Sequence, residues 1–157
     1  MYKAPRNLES QPVRPLLTVA ALAVALAGCG AAPQIPTACL AGPAAIRTAL
    51  EAAPGPVTLD GTPISACLDQ SGDPAAAQGV GTSLVDVASG LADAVADKHD
   101  SASATQLGYL IGAVRKGAGE TPTLNAELLR RLELEAGRID TDSPSYKRGE
   151  KAGETSG

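Results

Sequence analysis

The sequence predicts an all-α protein. The expected form is a small antiparallel helical bundle of about three main helices with a short N-terminal helix and an extended segment, preceded by a cleaved signal peptide. Three observations carry this. Apolar residues recur every three or four positions over 80–98, 101–116 and 123–136, which lays one apolar stripe along each helix. The segments between them are short and rich in Gly, Pro, Asp and Ser, residues that end helices or cap them. Strand-like alternation is confined to 57–64.

The first residues differ in kind from the rest. Lys3, Arg6 and Arg14 make a positive start with a single acid, Glu9, and Pro15 ends it. Leu16 to Ala27 is then apolar apart from Thr18, shorter than the ~20 residues a spanning helix needs. A basic start, a short apolar core and a small-residue exit describe a secretory leader. The exit itself, Leu26-Ala27-Gly28-Cys29, resembles the bacterial lipobox at every position. The resemblance covers the leader and the first mature residue only. It implies diacylglycerol transfer to the Cys29 sulfur, cleavage between Gly28 and Cys29, and acylation of the new amino end by a fatty acid such as palmitate. Two chains on one sulfur hold a protein at a bilayer where a single chain is marginal. The expected organisation is therefore leader 1–28, tether 29–38, helical domain 39–148 and a disordered tail 149–157.

Gly30 to Ala38 is small, polar and Pro-containing, with a reach of about 30 Å. Pro43 to Ala53 reads as a first helix with Ile46 and Leu50 on one face, Arg47 and Glu51 spaced to pair, and Pro54-Gly55-Pro56 to stop it. Val57 and Leu59 alternate before the turn signal Asp60-Gly61. Thr62-Pro63 then opens a short helix bearing Cys67. Asp69 to Gly72 is a turn, and Asp73-Pro74 starts a long helix, broken or delayed near Gly79 and Gly81, with Val80, Leu84, Val87, Leu91 and Val95 on its stripe. Asp100-Ser101 caps the next, where Leu107, Leu110, Ile111 and Val114 form the apolar face. Gly108 and Gly112 lie within that helix at a cost of ~1 kcal/mol each against Ala, which points to close approach by another backbone. Tyr109 lies off the stripe, either as a packing residue at a helix boundary or as an anchor for a partner. Thr121-Pro122 or Thr123 caps a helix with Leu124, Leu128 and Leu132 on its face and a Glu127 to Arg131 pair. Asp142-Ser143-Pro144 begins a last turn or two through Arg148, and Gly149 to Gly157 is expected to fray.

Removing 28 leader residues leaves 129, one domain's worth. The chain has no Phe or Trp and only three Tyr, so its core must be Leu, Val, Ile and Ala. The mature part carries 16 acids and 10 bases, a balance that argues against nucleic acid as a partner. With Cys29 lipidated, Cys39 and Cys67 remain as an even pair, for which a disulfide is the expectation in an oxidising compartment.

No G-x-S-x-G, S-x-x-K, H-E-x-x-H, Walker A or G-x-G-x-x-G occurs, and His99 is the one histidine. No catalytic residue, metal site or cofactor is therefore expected, and the protein is not expected to be an enzyme. Asp86, Asp93 and Asp97, offset by seven and eleven, fall near one line of a helix as a weak cation or partner face. The leading expectation is a non-enzymatic binding or scaffolding protein, held to the extracytoplasmic face of the cell membrane through acylated Cys29, with another envelope protein as partner. The alternatives are a small-ligand carrier with an apolar cavity, and a carboxylate-based envelope hydrolase or accessory domain.

Overall fold

The computed structural model describes residues 34–68, 73–119 and 124–157. Helix α3 (Ser101–Ala118) is the element around which the others pack. Between Ser103 and Val114 every residue except Gln106 is buried, so the helix is covered on almost its whole circumference rather than along one stripe. Around it lie α1 (Gly42–Leu50), α2 (Pro74–Lys98), α4 (Leu124–Ala136) and α5 (Pro144–Ser156). A two-residue ribbon, β1 (Thr58–Leu59) against β2 (Thr62–Pro63), is antiparallel with Thr58 opposite Pro63. Short 3-10 turns occupy Thr37–Leu40 and Ile64–Leu68. The all-α expectation holds in outline, but the described residues form five α-helices rather than three main ones and a short one.

The caps fall where side-chain chemistry puts them. Asp73 and Asp100 are both extended N-caps, and each accepts the backbone N–H two residues on at 2.9 Å. Ser103 Oγ donates to the second Asp100 oxygen at 2.6 Å. That bond first, and the Ala102 N–H after it, holds the Asp100 carboxyl below its usual range. Helix α2 ends on His99 in the left-handed conformation, φ 51°, with its N–H returned to the Val95 carbonyl. Asp60 and Gly61 both have positive φ, 46° and 81°, the backbone that a tight two-residue hairpin requires.

Several expectations are corrected. Helix α2 runs unbroken from Pro74 through Gly79 and Gly81, because Val80, Leu84, Val87 and Leu91 bury one continuous face and outweigh two glycines. The packed domain begins before Cys39, since Ile35 is buried in the core. It also extends past Arg148. Residues 149–156 are not a disordered tail but the body of α5, with Tyr146, Gly149 and Gly153 buried. Arg47 does not pair with Glu51; its guanidinium lies over Gly90 of α2. The turn at 69–72, the cap at 121–123 and the segment 1–33, Cys29 included, lie outside the described residues.

Contact between α3 and α5 is made backbone to backbone. A Cβ on Gly108 or Gly112 would overlap the carbonyl oxygens of Tyr146 and Glu150, and one on Gly149 or Gly153 would overlap those of Thr105 and Tyr109. The close approach signalled by Gly108 and Gly112 is therefore real, and its partner is the segment expected to fray. The contacts rise together along both helices, so α3 and α5 run parallel. Gly81 lies against Leu128 and Asp93 against Arg138, so α2 and α4 run in one sense as well. Parallel next-but-one helices are what an up-and-down chain produces.

Candidate functional site

The two cysteines come together at the start of the domain. Cys39 sits on the turn Thr37–Leu40 and Cys67 on the turn Ile64–Leu68. Both are buried and joined as a disulfide, with Cα atoms 5.5 Å apart. The second turn is seated on the end of α3, where the Ser65 carbonyl lies against Gly117. Buried Asn125 of α4 donates its side-chain N–H to the Leu68 carbonyl at 3.1 Å. Ser65 Oγ donates to the Gly157 carbonyl at 2.6 Å. A bridged sulfur pair is neither a nucleophile nor a metal ligand, so the contribution of these residues is to join two segments.

The acidic line on α2 is not a convergent site. Asp86, Asp93 and Asp97 are all exposed, and no group of three or more His, Cys, Asp or Glu is arranged to hold a metal ion among the described residues. Asp93 is engaged by Arg138, which also binds Glu135 at 2.8 Å and reaches Ser89 Oγ at 3.5 Å. Those carboxylates, Glu135 first, raise the Arg138 guanidinium above its usual value. Asp93 thus fastens α2 to the segment after α4. His99 is an exposed cap residue. Tyr109 is a packing residue rather than an exposed anchor: it is fully buried and accepts the Val57 N–H at 3.1 Å.

The main polar constellation is one the sequence reading missed. Arg115, near the end of α3, binds Glu150 and Glu154 of α5 at 2.9 Å each and Glu133 of α4 at 3.1 Å. Burial opposes the charge on Arg115, but the hydrogen bonds it donates to Glu150, Glu154 and Glu133 outweigh it and raise the guanidinium above its ordinary value. The available signal was the spacing of Glu150 and Glu154, one turn apart beside Gly149 and Gly153. On α4 the expected pair is present: Arg131 binds Glu127 at 2.9 Å, with Arg130 at 2.8 Å on the other carboxylate oxygen. The hydrogen bond from Arg130 first, then that from Arg131, lowers the Glu127 carboxyl to about 2.

A shallow, open depression of about 430 Å³ lies between α1 and the ribbon, floored by Ala41, Ala45 and Ala49 and edged by Thr58 and Asp60. Around α3, the core is filled by Leu, Ile, Val and Ala, with Tyr109 and Tyr146. No helix among the described residues is long and apolar enough to cross a membrane. No family model, curated protein or solved structure matches this chain.

Proposed function

We propose that this chain is a lipid-anchored protein of the bacterial cell envelope that works by binding or scaffolding rather than by catalysis. The observation that carries the reading is Leu26-Ala27-Gly28-Cys29, placed directly after a basic start and an apolar run. Other features support it. The Cys39–Cys67 bridge suits an oxidising compartment. Two arginines are engaged in structural pairs between segments, Arg115 with three glutamates and Arg138 with Asp93. Its partners would be the bilayer, through acylated Cys29, and an envelope protein.

Cells fed an alkyne-tagged fatty acid should return the native chain labelled, and the Cys29→Ala chain unlabelled and retained as precursor. Crosslinking and pulldown from intact membranes, native against Cys29→Ala, should recover a protein partner only with the anchored form. An unlabelled native chain would overturn the address. Tight binding of a defined small molecule by the purified protein, with no partner recovered, would overturn the scaffold role in favour of ligand carriage.

A further inference from the structure

A short tether restricts which way an anchored domain can face. We infer that the end of the domain formed by Thr37–Leu40 and α1 docks on the anionic headgroup layer of the bilayer that holds the anchor; this rests on Cys29 being lipidated. Six residue steps separate Cys29 from Ile35, the first core residue. Fully extended they span about 20 Å. The acyl chains would therefore leave this end little room to turn away.

Charge is sparse along the same segment. From Cys29 to Leu50 the only charged residue is Arg47, which is exposed. The mature chain as a whole carries 16 acids against 10 bases. An anionic surface repels such a domain wherever its carboxylates face the lipid, and attracts single exposed cations. The nearest acids in sequence are Glu51, directly after α1, and Asp60, which lines the ribbon depression together with Ala41 and Ala44. Among the described residues two large apolar side chains are exposed, Leu40 at 50% and Leu134 at 60%. Leu134 sits between Glu133 and Glu135. Leu40 lies on the uncharged end, beside exposed Ala41, Pro43 and Ala44, where an apolar side chain enters the interfacial zone and gains by leaving water.

The absence of tryptophan makes the test direct. Full-length lipidated protein carrying Leu40→Trp, Ala44→Trp or Leu134→Trp is placed in vesicles of phosphatidylethanolamine and phosphatidylglycerol with brominated acyl chains. Mass spectrometry of each preparation records whether Cys29 carries its lipid. Emission from Leu40→Trp and Ala44→Trp should be quenched about threefold more than that from Leu134→Trp, as expected for side chains at the headgroup and acyl boundary. Two probes on one face keep the result interpretable if either substitution disturbs folding. Equal quenching at all three positions, or none at positions 40 and 44, on protein with acylated Cys29 would overturn the docking while leaving the anchor intact. An unmodified Cys29 would overturn the anchor and the docking with it.

Discussion

Gly149 and Gly153 let the backbone of α5 rest on the carbonyls of Thr105 and Tyr109, with Gly108 and Gly112 returning the contact. Such packing gains dispersion energy over many small contacts and leaves no volume for a methyl group. Gly79 is the contrast, an interior residue of α2 where an added methyl group would meet nothing within 4 Å. Gly149→Ala should lower stability by about 3 kcal/mol, at the upper end of overpacking costs. Gly79→Ala should raise it by about 0.5–1 kcal/mol through helix propensity. Urea midpoints of the two variants, measured together, check both signs.

At the scale of elements, α5 is the unusual member. Its large buried side chain is Tyr146, and it is further held by glycine contact, by Ala152 against the core, by the ion cluster on Arg115 and by Lys116 donating to the Thr155 carbonyl. Arg115 is partly exposed, with 39% of its side chain accessible, so solvent screening limits each bond. Arg115→Met should cost about 1 kcal/mol and speed amide exchange across 149–156 before the rest of the chain. Tyr146 adds a dependence on alkali. Burial first, then the nearby Glu150 charge, raises its hydroxyl from 10.0 to about 12. The folded state therefore holds this proton more tightly than the unfolded chain. That contribution is complete below pH 10.0 and is lost as pH rises through about 12. Between those limits Tyr146→Phe should lose less stability than the native chain, by on the order of 2 kcal/mol, in urea titrations at each pH. The same helix shows where sequence reading stops. Helices α2, α3 and α4 announce themselves through Leu, Val and Ile at helical spacing. Beyond Tyr146 the buried face of α5 is glycine, to which an apolar period is blind. Its trace was the four-residue interval of Gly149 and Gly153, matching that of Gly108 and Gly112. Tyr109 follows the packing reading rather than the anchor one: with neighbours on nearly every side of α3, a residue off the stripe is inside as well.

For the whole molecule, the disulfide joins positions 28 apart in sequence and encloses α1 and the ribbon. Closing a loop of that length stabilises by about 3–4 kcal/mol in the chain-entropy treatment. Reduction, or Cys39→Ala with Cys67→Ala, should lower the denaturation midpoint correspondingly, measured with and without dithiothreitol. The pairing was legible once Cys29 was set aside, because two cysteines remained. The site at Cys29 lies outside the described residues, so the anchor rests on chemistry read from its four-residue motif. The bridge also has a mechanical consequence. Tension applied to the segment before Ile35 passes through Cys39 and crosses to Cys67, which belongs to a turn packed against α3. Residues 40–66 are bypassed by that covalent shortcut. A tug from the N-terminal side is delivered straight to the most deeply buried helix, while α1 and the ribbon remain slack.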